Sequence, residues 1–125
     1  MRNRRQPEYA EATREWAFQF GYCWRCGHRG LWRVNLQIHH FCQGSNRERD
    51  NLATTAISCA YCHDREHNHD GIGLLGWLYL KRYYDKEHYD LDEVCRVRSR
   101  AATAITEIEV YGQRERLEQA GVKLR

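Results

Sequence analysis

The sequence predicts an α+β fold, because helix-period and strand-like segments follow one another along a chain of single-domain length. Two short segments rich in β-formers lie between helical stretches, and two cysteine pairs bracket them. At 125 residues the chain can enclose one modest core. We expect a single domain over 1–125: an N-terminal helix in 1–21, a metal-stapled core in 22–70 and a helical extension in 71–125.

Residues 8–20 read as a helix, with Trp16, Phe18 and Phe20 among good helix formers and Gly21 as its stop. The stretch from Cys23 to Cys26 forms a tight turn closed by Gly27. Residues 31–41 alternate in part through Trp32, Val34, Leu36 and Ile38, which predicts extended chain. Residues 43–51, containing Gly44, Ser45 and Asn46, read as a polar loop, and 52–58 as a second strand antiparallel to the first. Residues 59–67 should turn directly into a helix. Beyond Asp70-Gly71, residues 73–84 carry Leu74, Leu75, Trp77, Leu78, Leu80 and Tyr84, a helix packed on the core. Asp90 is an N-cap for a helix to about Arg98, with Asp92 and Glu93 in its first turn. A last helix is expected over 103–120, stopping at Gly121.

Mean hydropathy is −0.87, and no apolar run approaches the roughly 20 residues of a membrane span. Acidic residues follow the basic Met1-Arg2-Asn3-Arg4-Arg5 where a secretory signal would need an apolar stretch, so we expect a cytoplasmic protein with no membrane partner. Six cysteines in such a chain need an explanation, and the single proline argues against a loop-rich secreted scaffold. In a reducing compartment, paired C-x-x-C spacing favours metal over disulfides.

Cys23-Trp24-Arg25-Cys26 and Cys59-Ala60-Tyr61-Cys62 are two such pairs. Thiolates three positions apart, in a turn whose amides point at sulfur, supply half of a tetrahedral zinc shell, and two turns complete it. Four sulfurs leave no position for water, so this zinc is expected to be structural. Free thiols or a redox pair are the alternative reading. Cys42 and Cys95 are left over and read as small, partly buried thiols.

His39-His40 end the first predicted strand, Asn51 ends the loop, and His63 follows the second cysteine pair. His63 and His67 share a helix face at i, i+4, about 6 Å apart at Cβ, close enough to grip one ion. The order L-Q-I-H-H, D-N-L, C-A-Y-C-H resembles the HNH endonucleases of the ββα-metal fold, and particularly the small free-standing HNH proteins of prokaryotes and their phages. The resemblance covers about residues 20–70. It implies that His40 is the general base and that Asn51 holds the loop that orients it. It implies that His39, where many relatives carry aspartate, and His63 bind the catalytic metal, with His67 resembling the extra histidine ligand of colicin-type DNases. An all-histidine set suits Mn²⁺, Ni²⁺ or Zn²⁺ at least as well as Mg²⁺. His28, His69 and His88 are expected to be surface or hydrogen-bonding residues.

The formal charge of +3 is a poor predictor of nucleic-acid binding, but arginine far outnumbers lysine and is clustered. Arg25, Arg29, Arg33, Arg47 and Arg49 flank the histidines and are candidate contacts to DNA, double-stranded by expectation. The expected activity is metal-dependent hydrolysis of DNA, by nicking or by double-strand cleavage. The chief alternative is a catalytically inactive, zinc-ribbon-like DNA-binding or adaptor module, and RNA as substrate is a third reading. The oligomeric state stays open between monomer and homodimer.

Overall fold

The computed structural model describes residues 8–42, 48–68, 70–98 and 103–125. In chain order its elements are α1 (Glu11–Phe18), β1 (Leu36–His40), β2 (Thr55–Cys59), α2 (Ala60–His67), α3 (Gly73–Tyr84), α4 (Leu91–Val97), α5 (Glu107–Tyr111) and α6 (Arg114–Gln119). Short 3-10 turns occupy Leu52–Thr54 and Lys86–His88. The fold is mixed α+β, as the pattern predicts, and no helix among the described residues is long and apolar enough to cross a membrane.

The sheet has two strands, paired antiparallel with Leu36 opposite Cys59, Ile38 opposite Ile57 and His40 opposite Thr55. β2 runs straight into α2 because Cys59 leaves the strand in an extended conformation and its sulfur accepts from the Cys62 amide as an N-cap. Trp16, Trp24, Leu36, Ile57, Trp77, Leu78, Leu80 and Val94 fill the core. Within it, the Asp85 carboxylate accepts from Lys81 Nζ at 2.7 Å, Trp16 Nε1 at 2.8 Å and His88 Nδ1 at 2.9 Å. The Lys81 ammonium also lies over the Trp16 ring, 4.7 Å from its centroid. Burial pushes the Lys81 pKa down to about 8, against the pull of Asp85.

Four expected elements change. The strand expected over 52–58 becomes β2 at Thr55–Cys59, because Asn51 caps a 3-10 turn over Leu52–Thr54. α1 begins three residues later than its periodicity suggests: Ala10 is extended as the N-cap, its carbonyl accepts from Arg14 N at 3.0 Å, and Asp50 Oδ1 satisfies its otherwise unpaired amide at 2.9 Å. Extended chain over 31–41 narrows to β1, since Leu31 O accepts from the amides of Val34, Asn35 and Leu36 and closes a turn. The single helix expected over 103–120 is two. Thr106 and Glu109 form a capping box that starts α5, and the chain breaks at Gly112, a poor helix former, before α6. The helices over 73–84 and from Asp90, whose side chain caps the Glu93 amide, follow the sequence closely.

Candidate functional site

The four cysteines converge. All four sulfurs lie within 4.8 Å of one another, and the Cys26–Cys59 separation is 3.7 Å. A tetrahedral zinc with Zn–S bonds of about 2.3 Å needs sulfurs about 3.8 Å apart, so this donor set fits such an ion. The first turn is shaped for it: Gly27, at φ 78, donates to Cys23 O at 2.9 Å, and Trp24 N donates to Ile57 O of β2 at 3.1 Å. Hydrogen bonds from the Cys62 thiol and neighbouring amides bring the Cys23 thiol down to about 5. The same shared proton drives Cys62 upward, because one of two touching sulfurs must keep it. A cation displaces that proton. The group can therefore hold a structural metal such as zinc, and none of the six cysteines is in a disulfide.

The adjacent strand residues His39 and His40 enter different surroundings, as the pleat requires. His39 is buried against the Trp77 ring at 4.7 Å between centroids, and its Nδ1 is 3.5 Å from His63 Nδ1. Burial, then the neighbouring histidines, holds its pKa down to about 3, so the ring is neutral at neutral pH. Burial also lowers His63. His40 turns the other way: Tyr9 stacks on it at 6.2 Å, and its Nε2 is 3.3 Å from the Arg49 carbonyl. His63 and His40 nevertheless border the same cavity, of about 530 Å³.

His67 is placed differently from the expected three-ligand set. Its Nε2 is 3.1 Å from Nε2 of His63, whereas His39 faces Nδ1 of that ring. One ion cannot use both nitrogens of an imidazole, so these three rings do not share a single ligand point in this arrangement. Among the described residues, the cysteines are the one group of three or more converging donors.

Asn51 is held from three sides. Its Oδ1 accepts from Ala53 N at 3.0 Å, and its Nδ2 donates to Glu48 at 3.1 Å and to Glu93 at 2.8 Å. Arg96 ties those two carboxylates together, with bonds of 2.9 Å to Glu48 and 2.7 Å to Glu93. Hydrogen bonds from Arg96, then from Asn51, bring Glu93 down to about 2. The contacts of Tyr9 with His40, Trp77 with His39, Glu93 with Asn51 and Arg96 with Glu48 join residues distant along the chain and are not legible in sequence.

The five candidate arginines separate. Arg25 is only 4% exposed, 3.5 Å from Glu66 and bonded to Asp70 O; it braces the first cysteine turn and is not placed to meet DNA. Arg49 pairs with Asp50 and lies over Tyr9. Arg29 and Arg33 are exposed, and Arg47, like His69, lies outside the described residues. His28 and His88 meet Asn35 and Asp85, in keeping with hydrogen-bonding roles. No protein-family model, curated protein or solved structure matches this chain.

Proposed function

We propose that the protein is an HNH-type, metal-dependent DNA endonuclease in which β1, β2 and α2 form a ββα-metal core stapled by the four-cysteine zinc site. The observation that carries this reading is the placement of His63: it contacts the proposed ligand His39 through Nδ1 and lines one cavity with the proposed base His40.

His39 and His63 are the ligands, both kept neutral by burial, and their 3.5 Å spacing suits two nitrogens of one shell. A divalent ion held there would neutralise charge developing on the scissile phosphate and on the leaving 3′-oxygen. His40 accepts the proton of the attacking water. Donation from its Nε2 to the Arg49 carbonyl selects the tautomer whose lone pair is on Nδ1. Asn51 caps the Leu52–Thr54 turn and anchors the 48–51 segment that carries that carbonyl. His67 acts on His63 from outside the shell, holding Nε2 so that Nδ1 stays toward His39.

The second reading, a zinc-organised DNA-binding or adaptor module without catalysis, rests on the cysteines being the only converging donor group among the described residues. One assay separates the two. Zinc-loaded protein with added Mn²⁺ should convert supercoiled plasmid to nicked or linear form, and His40→Ala should not. Plasmid bound but left intact by the wild type would favour the adaptor.

A further inference from the structure

We infer that Arg33 is a preformed phosphate clamp for the DNA strand entering the histidine cavity, an inference that rests on the nuclease reading and names a contact within it.

The first observation is strain. Arg33 has φ 71, the only non-glycine residue with positive φ among the described residues. A side chain there costs energy that glycine would avoid, so the residue type needs another reason. The turn around it is held firmly: Arg33 N donates to Leu36 O at 3.0 Å, Leu36 N to Leu31 O at 3.0 Å, and Asn35 bonds both Leu31 N and Arg29 O. The conformation is imposed by the turn, and arginine is retained inside it.

The second is preorganisation. The guanidinium lies over the Trp32 ring, 4.7 Å from its centroid, and Trp32 is itself fixed by edge contacts from Tyr9 and Phe18. This cation–π contact restrains the guanidinium over the ring face while leaving N–H groups to donate. Arg25, Arg49, Arg65, Arg96 and Arg114 all pair with carboxylates. Arg33 pairs with none among the described residues.

The third is location. Arg33 lines the cavity that His40 and His63 border, and among the described residues no acidic side chain lines it. A cationic fork at the edge of such a cavity fits a phosphodiester oxygen near the reacting one.

The test is the salt dependence of binding. Zinc-loaded protein, without a second divalent ion, is titrated into a short fluorescent DNA duplex at several salt concentrations. Arg33→Gly should melt at or above the wild-type temperature, since glycine accepts this φ. It should bind severalfold more weakly, and its slope of log affinity against log salt should be shallower by about 0.9, the value of one phosphate contact. Arg33→Lys, which keeps the charge but loses the planar fork, should keep the wild-type slope and bind with intermediate affinity, and Arg114→Ala should match the wild type. Arg33→Gly with wild-type affinity and slope would overturn the clamp while leaving the nuclease reading standing. Arg33→Lys with wild-type affinity would overturn the role of the fork held over Trp32. A wild type that binds no duplex would overturn both readings.

Discussion

Asn51 and Glu93, 42 residues apart, are joined by a 2.8 Å hydrogen bond that ties the loop before β2 to the first turn of α4. Through it, a helix outside the resemblance braces the segment whose Arg49 carbonyl meets His40.

This bond predicts a selective effect. Glu93→Ala should lower kcat about tenfold or more with little change in KM for DNA, because it frees the loop without touching the substrate. Its cost in stability should be about 1 kcal/mol or less, as for partly exposed ion pairs. The Glu93 carboxyl is held down to about 2 from an ordinary 4.5, so its contribution is present above about 4.5 and lost as pH falls toward 2. Melting temperatures of wild type and variant should therefore differ at neutral pH and converge below pH 4.5. A constant gap across that range would count against the assignment.

The neighbouring histidines should fail differently. His40→Ala should keep near-normal Mn²⁺ affinity and lose about a hundredfold or more in rate, the scale of a lost general base. His39→Ala should bind Mn²⁺ poorly and recover part of its rate in excess metal. His67→Ala should weaken metal binding by about ten- to a hundredfold, as expected for a residue orienting a ligand. Isothermal titration beside single-turnover cleavage reads all three, and rescue of His40→Ala alone by metal would reverse the roles of His39 and His40.

Chelation should separate the two metal sites. Mild chelator should abolish cleavage while circular dichroism stays unchanged, because four thiolates hold zinc more firmly than two exchangeable imidazoles. Cys59→Ser should release about one equivalent of zinc and lower the melting temperature sharply. Simultaneous loss of fold and activity at one chelator concentration would speak against distinct sites.

The buried Asp85 cluster predicts the largest effect away from the site. Asp85→Ala leaves the fully buried Lys81 nitrogen without its carboxylate, to be buried unpaired or to give up its proton, and also strips Trp16 Nε1 and His88 of their acceptor. Chemical denaturation should show a loss of about 3–5 kcal/mol. Lys81→Met with Asp85→Leu should recover much of it if the cost comes from the orphaned Lys81 nitrogen.

Sequence by itself determined the local features: the two cysteine turns, the strand-to-helix step at Cys59, the helix over 73–84 and the Asp90 cap. Each depends on residues within a few positions, where spacing and propensity act directly. Thr106 with Glu109 is a capping box legible in sequence that sets the start of α5, while the break at Gly112 divides the expected helix in two. Tertiary structure alone decided the rest. The free amide of the Ala10 N-cap is met by Asp50, Arg25 is buried because Glu66 and Asp70 O receive it, and Asn51 is fixed by a carboxylate on a distant helix. His67 shared a face with His63 by period, but which ring nitrogen each presents was set by packing of His39 against Trp77 and α2. Periodicity gives a side chain's direction from its own backbone; its partner comes from a different part of the chain, and only the closed fold brings the two together.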